Sequence, residues 1–473
     1  MTVRQNAASP ETITVCSTVV AQDLCVGCGV CVPVCPTRNL RMGWNQYGQY
    51  LPSEADNCRK GCHICLDACP FVDQADNEDT LATGRYAAYP GVRHTAETGY
   101  FLGAYAGSVA DAALRGSGTS GGIARWFLTA LLHFGIADRV LCVAPEDDPE
   151  RRFAFRVLDS PEGILRSAKS AYYPVEMSSV LDTVLTADAR YALIGLPCFL
   201  KGIQLAARNN RWLRSRIVLM AGLVCGQTKT KGFTEYLVRK AGHRTGETLS
   251  VSFRDKDPAA PANHYLFSAT SPGSRKELCY EGCYGVAFNT GQFRLNCCDY
   301  CDDLFAELAD ISFMDAWLPE YTVDGRGTNI VLTRTPLAES VLERGAAAGE
   351  LRSTPLDISR VIESQGSALL YKRTLLGHRL YMADRAGTPR PRKRVEPLRP
   401  PWVVRRWVVA MRNLRAASLH HMLRQQQASP SGLDLYEAPI RKYVCAYFRW
   451  KRAFFTIHAY WHAIKRRLRR LLS

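Results

Sequence analysis

Two cysteine runs occupy the first seventy residues: Cys25, Cys28, Cys31 and Cys35 before Pro36, and Cys58, Cys62, Cys65 and Cys69 before Pro70. The spacing C-x2-C-x2-C-x3-C-P wraps a chain round a cubane iron–sulfur cluster, with the fourth cysteine crossing to a partner cluster. Three thiolates so close in sequence reach three corners of one cluster only where the backbone curls tightly, and Gly27 and Gly29 permit that curl. This predicts one 4Fe-4S cluster on Cys25, Cys28, Cys31 and Cys69, and a second on Cys58, Cys62, Cys65 and Cys35. The second run opens with C-x3-C, a departure of one residue. Zinc and disulfide frameworks are the competing uses of eight cysteines, and the two matched runs with both prolines disfavour them.

At 473 residues and 47% hydrophobic composition the chain is long enough for two or three folded domains. Its start, MTVRQNAASPETITV, has no apolar signal region, and its longest apolar run, Ile217 to Val224, falls far short of the roughly 20 residues of a membrane span. With 18 cysteines the expected setting is a reducing one, so the reading is a cytoplasmic protein using thiols as metal ligands. The net charge of +16 is unevenly placed: residues 389–473 carry twenty Lys and Arg against three acids, and the remainder is close to neutral.

The expected fold class is a multidomain α+β and α/β chain: a ferredoxin-like module with two 4Fe-4S clusters, a mixed α/β flavin-binding body, and a basic helical tail. Boundaries are placed at 14–80, 100–226, 227–385 and 386–473. Ile123 to Gly135 reads as a helix, and Arg139 to Ala144, Tyr191 to Gly195 and Ile217 to Val224 as buried strands. The stretch GTPRPRKRVEPLRPP after Ala386 reads as a proline-stiffened linker. No internal repeat appears beyond the paired cysteine runs.

Cys198 and Cys225 fall at the ends of two of these strands, and Cys298 and Cys301 form a C-x2-C before Asp302 and Asp303. Strand ends of an open α/β sheet gather where ligands bind, so the four thiols suit one shared cluster. Taken singly, each reads more readily as a buried core thiol than as a ligand.

The stretches SGTSGG (117–122), AKSAYYPV (168–175), GLPCFLKGIQ (195–204), GLVCG (222–226), VSFRDKD (251–257) and CDYCDDLFAELADISFMDAW (298–317) together resemble the beta subunits of coenzyme F-420 hydrogenase and dehydrogenase. That family also contains 7-hydroxymethyl chlorophyll reductases and members associated with polysaccharide loci. The similarity spans about residues 10–385, with domains like the family's N-terminal part over 100–226 and C-terminal part over 227–385. It implies FAD beside a third 4Fe-4S cluster, electron exchange with a deazaflavin such as coenzyme F-420 or another low-potential partner, and Cys198, Cys225, Cys298 and Cys301 as that cluster's ligands. Cys297 competes for the place of Cys298.

For the flavin, Ser117, Thr119, Ser120, Gly121 and Gly122 precede an apolar helix, where hydroxyls and amides suit a pyrophosphate; a simple helix cap is the alternative. Lys169 and Ser170 match a family Lys-Ser-x-Tyr stretch that the resemblance puts near the flavin. Ala171 stands where many members carry a further lysine, which bears on whether a deazaflavin's anionic tail binds, and Met314 stands where glycine is common, beside Asp315. No catalytic acid or base is identifiable, since flavin hydride transfer asks mainly for positioning; His63 reads as a solvent-exposed cluster-loop residue.

In the tail, Tyr443, Tyr447, Trp450, Phe454, Ile457, Trp461, Ile464, Leu468 and Leu471 repeat at steps of four and three, an apolar stripe on one helix flanked by Arg449, Arg452, Arg466, Arg467, Arg469 and Arg470. Trp402 to Leu423 has similar character. An anionic membrane surface is the favoured partner, ahead of docking on a partner or on the body, with nucleic acid disfavoured. Two functional classes follow: an oxidoreductase with its own substrate, or an electron-transfer subunit feeding a partner enzyme. An iron–sulfur regulator binding nucleic acid ranks third.

Overall fold

The computed structural model describes residues 13–472 apart from 74, 168 and 429–431, and gives the backbone alone for 245 and 458–472. The cysteine runs enclose a hairpin of β1 (Leu40–Trp44) and β2 (Tyr50–Glu54), followed by a short helix, Ile64–Asp67. A helix at Glu78–Tyr86, capped by the Asn77 side chain on Thr80 N–H, and a small hairpin of β3 (Arg93–Thr95) and β4 (Gly99–Phe101) lead into the body.

The body is built on one eight-stranded sheet of β5 (Ala104–Val109), β6 (Arg139–Pro145), β7 (Phe153–Leu158), β8 (Tyr191–Gly195), β9 (Ile217–Leu223), β13 (Ile311–Asp315), β14 (Asn329–Thr333) and β15 (Leu351–Pro355), in the order β15-β5-β14-β13-β9-β8-β6-β7. Its centre, β13-β9-β8-β6, is parallel, and the outer pairings are antiparallel. The intervening β10 (Ser250–Lys256), β11 (Tyr265–Ser271) and β12 (Ser274–Cys279) form a separate antiparallel meander.

Both faces of the sheet are covered, as its continuous apolar strands require. Helices Ile123–His133 and Pro336–Ala347 bury Trp126, Phe127, Leu131 and Val341 against Val140, Leu219 and Phe313. On the other face, Leu181, Phe199, Leu200 and Ile203 meet Leu141, Leu193 and Met220, and the same core takes in Val26, Val30, Ala68 and Phe71 of the cysteine module. At Gly202 a Cβ would stand 3.3 Å from Val30 Cγ2 and 3.4 Å from the Ala68 carbonyl, so helix Pro197–Asn209 lies directly on the module.

Strand β8 has the bounds read from sequence, and β9 ends one residue earlier at Leu223. The helix from Ile123 stops at His133 because Gly135, at φ +62°, turns the chain left-handed. The stretch read as a linker is packed chain: Lys393 reaches Asp302 at 3.3 Å, Arg394 pairs with Glu307, and the Leu398 N–H donates to the Gly377 carbonyl at 2.9 Å. Local composition cannot reveal this, because the acids that hold it lie roughly ninety residues upstream.

The tail forms two long helices, Trp402–Ala428 and Asp434–Leu472. Their apolar stripe faces inward: Tyr443, Tyr447, Trp450 and Phe454 join Trp407, Met411, Phe233, Phe253 and Phe293 in one core. Tyr436 stacks on Phe293 with ring centres 5.3 Å apart, and the Phe293 N–H donates to Ser418 Oγ at 2.8 Å. Docking on the body thus accounts for the first half of the stripe. Trp461, Ile464, Leu468, Leu471 and Arg466 to Arg470 lie outside the residues whose side chains are described. Among the described residues no helix is long and apolar enough to cross a membrane.

Candidate functional site

The folded chain brings its sequence-predicted cysteines together in three groups. Cys25, Cys28, Cys31 and Cys69 are close enough that charge on one bears on the others, and burial pushes Cys28 up to about 11 and Cys69 up to about 12. Their loop is held by the Met177 N–H, which donates to the Cys28 carbonyl at 2.9 Å, and Gly27 and Gly29 adopt φ +75° and +77°, which only glycine takes readily. Cys35, Cys58, Cys62 and Cys65 line one cavity with Thr14, Thr37 and Asn39. This outer group is the more exposed, and exposed His63 lies beside it.

The third group forms where parallel strands β8 and β9 end. Cys198 sits in the first turn of helix Pro197–Asn209, Cys225 two residues beyond β9, and Cys298 and Cys301 in the short turn around Asn296–Tyr300. Charges on Cys225, Cys298 and Cys301 all bear on Cys198. Thr228 donates to Cys298 Sγ from its N–H at 3.4 Å and lies 3.3 Å away through its hydroxyl. A hydrogen bond from Cys297, joined by those from Thr228, pulls Cys298 down to about 6 against the opposing effect of burial. Cys297, fully buried, is hydrogen-bonded to Cys298, and charge on Cys198 of the third group and Cys25 of the inner one also bears on it.

These groups run in series. Cys65 bears on Cys31, Cys28 on Cys198, and Cys225 on Tyr172. Among the described residues no three His, Cys, Asp or Glu converge tightly enough for a single metal ion. A lone tetrahedral zinc needs its sulfurs at about 2.3 Å, whereas a cubane takes thiolates at spread corners. The donor set also fits the larger group: burial opposes isolated thiolates throughout, and a polycationic core is what would keep so many deprotonated.

A polar cluster beyond Tyr172 is assembled by three successive residues of β10. Arg254 pairs with Asp315 through two hydrogen bonds of 2.7 and 3.2 Å, Asp255 accepts from Lys169 at 3.0 Å, and the Lys256 ammonium donates to the carbonyls of Arg115, Ser120 and Arg326 at 2.5–2.7 Å. A break in the β10–β11 register between Ser252 and Asp255 lets consecutive side chains aim at three places. Each reaches a different sequence motif, so VSFRDKD ties SGTSGG, AKSAYYPV and ADISFMDAW into one site. Spacing alone did not single out Arg254, Asp255 and Lys256; the alternation of charge within that stretch was the available signal.

Within the 117–122 loop, Ser117 Oγ donates to the Leu114 carbonyl and Ser120 Oγ to the Thr328 carbonyl, so these two hydroxyls support the loop. Thr119 accepts from Ser170 Oγ at 3.4 Å, which brings the two predicted stretches into contact. Gly121 lies against β5 and β14, where a Cβ would stand 2.6 Å from the Gly107 carbonyl, and Gly122, at φ +86°, opens the helix. Met314 is buried in β13 among Phe305, Ile330 and Leu332, and Ala171 packs beside the aromatic core.

Two buried lysines that spacing also missed flank the third group in opposite electrical states. Lys229 donates to three backbone carbonyls near Arg294, and burial drives it toward the neutral form. Lys372 donates to Cys301 Sγ at 2.8 Å and to the Asp303 carbonyl at 2.7 Å, and the thiols hold it in the charged form against burial.

Three comparisons bear on this arrangement. Residues 24–72 match the 4Fe-4S dicluster domain. Residues 104–182 match the N-terminal domain of the family described as the coenzyme F-420 hydrogenase/dehydrogenase beta subunit, and residues 188–359 match the C-terminal domain of the same family. A coenzyme F-420-dependent sulfite reductase of Methanocaldococcus jannaschii is 23% identical over 343 residues, covering 68% of this chain and 46% of that protein. The chain therefore spans less than half the length of that relative. A chain of the F-420-reducing NiFe hydrogenase complex from Methanosarcina barkeri superposes with a TM-score of 0.48 and 16% identity, over 66% of this chain and 99% of that one.

Proposed function

Since the chain belongs to the coenzyme F-420 hydrogenase/dehydrogenase beta subunit family and carries a 4Fe-4S dicluster domain, we propose that it is an iron–sulfur flavin oxidoreductase that relays electrons through three cubane clusters to FAD, and exchanges them there with a deazaflavin or another low-potential two-electron partner. The observation that carries this reading is the succession of thiol groups from the outer face of the module to the end of β9, with Tyr172 and the Arg254–Asp315 pair beyond. In it, Cys35, Cys58, Cys62 and Cys65 hold the outer cluster, Cys25, Cys28, Cys31 and Cys69 the inner one, and Cys198, Cys225, Cys298 and Cys301 the third. Cys298 is preferred to Cys297 because it takes the Thr228 hydrogen bonds and lies nearer Cys225 and Cys301.

When bound, the clusters supply one-electron steps and the flavin the exchange between one- and two-electron chemistry. The chain's own residues do the rest. The 117–122 loop with Lys169 and Ser170 forms the rim that would take the flavin's phosphates, and the glycines let backbone amides approach an anion closely. Arg254, fixed by Asp315, is a buried cation that would favour the reduced form of a flavin held beside it. Tyr172, packed on Phe253 and Phe288, shields the passage from Cys225 toward that cation.

The second reading, an electron-transfer subunit for a partner enzyme, is supported by the partly exposed Cys58 and Cys62 of the outer group and by the short span of the sulfite reductase relative that this chain matches. Anaerobic titration of reconstituted protein with reduced coenzyme F-420 separates the two. Bleaching of flavin and iron–sulfur bands together supports the deazaflavin-linked enzyme; bleaching by dithionite alone refutes it and favours the electron-transfer role.

A further inference from the structure

The lysine against the third thiol group has no carboxylate of its own. Lys372 is 2% exposed, and among the described residues no Asp or Glu oxygen lies within ion-pair distance of it. The cations around it are provided for: Lys201 has Glu78 at 3.3 Å, Lys393 has Asp302 at 3.3 Å, Arg373 and Arg394 share Glu307, and Arg294 has Asp299 at 2.8 Å. A buried ammonium without a counter-ion is strongly unfavourable. Among the described residues the anionic groups nearest to it are sulfurs, Cys301 in direct contact and Cys225 and Cys298 near enough for their charge to matter, while the Asp303 carboxyl feels its charge from beyond ion-pair distance.

Resting on the three-cluster reading above, we infer that Lys372 is a positioning residue that sets the reduction potential of the third cluster, through a fixed positive charge hydrogen-bonded to the Cys301 sulfur. Cluster potentials respond to net charge, hydrogen bonds to sulfur and exposure. Adding an electron makes the thiolate-bound group more negative, so an ammonium 2.8 Å from one of its sulfurs favours the reduced state over the oxidised one. The step adds one electron to the cluster, with the Lys372–Cys301 hydrogen bond in place beside it. Two further features act in the same direction at this group, the Thr228 donors on Cys298 and the helix amino terminus that carries Cys198. The outer group differs: Cys35 Sγ receives the Asn39 N–H at 3.3 Å and contacts Thr37 at 3.7 Å, and no buried ammonium bonds a thiol there among the described residues. The third position is thereby made easier to reduce than it would be without Lys372.

The test uses the full chain, reconstituted anaerobically with iron and sulfide, and reads midpoint potentials by electron paramagnetic resonance during a dithionite titration. K372Q and K372M should lower the equilibrium constant for reducing the third cluster by at least tenfold, about 59 mV for one electron. The signals of the module clusters should stay where they are, and K372R should restore most of the shift. An unshifted third signal in K372Q overturns the inference while leaving three clusters in place. Loss of that cluster from both neutral variants, with K372R retaining it, also overturns it and assigns Lys372 to assembly. Iron and sulfide sufficient for only two cubanes in the unmodified protein would instead overturn the three-cluster reading, and the role of Lys372 with it.

Discussion

Replacing Trp407 with alanine tests whether the basic tail is part of the body. Trp407 is 4% exposed, with ring centres 5.1 Å from Phe454, 6.1 Å from Phe455 and 6.3 Å from Tyr447, so it ties the two tail helices together and to the core that contains Phe233 and Phe293. A buried tryptophan removes roughly 150–250 Å² from water, worth about 4–6 kcal/mol at 25 cal/mol/Å² before neighbours relax. Core Trp→Ala changes destabilise by about 3–5 kcal/mol. Taking about 3 kcal/mol as the share felt by local opening of the hairpin, the open population rises by roughly two powers of ten. Trypsin reads this directly, because Arg405, Arg406, Arg412 and Arg415 become cleavable when the hairpin lifts and native cleavage tracks the open fraction. W407A should therefore be cut in this region about a hundredfold faster, and W407F, which keeps an aromatic ring, within about tenfold of the parent. A change below threefold in W407A would refute the docked tail.

C225S should reduce the iron content from three cubanes to two while the ferredoxin-type signals persist; unchanged iron would contradict the placement of the third cluster. At Gly222 a Cβ would come 2.3 Å from Ala306 Cβ and 2.9 Å from Ala309 Cβ, so G222A should destabilise by about 1–3 kcal/mol and lower third-cluster occupancy, measured by melting and iron analysis. His378, buried with Nδ1 2.8 Å from the Leu398 carbonyl, is held by burial below its ordinary pKa. Its folded form thus takes up a proton less readily than its unfolded form, so the stability is present above about pH 6.5 and falls as the pH drops below that value. Melting temperatures of wild type and H378Q should diverge between pH 7.5 and 5.5, with wild type losing more; parallel curves would exclude His378 as the cause.

What was legible in sequence was whatever a short stretch settles by itself. Cysteines two or three residues apart, a glycine beside them and a proline after them constrain local geometry, so both module groups were readable before any fold was known. Strands β8 and β9 declared themselves by unbroken apolar runs, because a parallel strand covered on both faces has no polar side to show. Lys372 and Thr228 were not legible, since each matters only through a sulfur about seventy residues away in the chain. Nor was the setting of Lys393 and Arg394, which composition reads as solvated charge.

The tail shows why a charge count misleads here. Its excess looks like a surface seeking an anionic partner, yet Lys393, Arg394 and Arg415 are directed inward to Asp302, Glu307 and Asp299, acids that lie within six residues of Cys301. Those acids sit where a thiolate-bound cluster would add further negative charge, and buried like charges repel strongly at low dielectric. Cations brought from residues 372–415, beyond the family-matched span ending at 359, offset that repulsion, while Lys372 alone addresses the sulfur directly. On the three-cluster reading the C-terminal segment is first an electrostatic shell of the third cluster, and a surface for partners only in what the described core leaves exposed, such as Arg449 and Arg452.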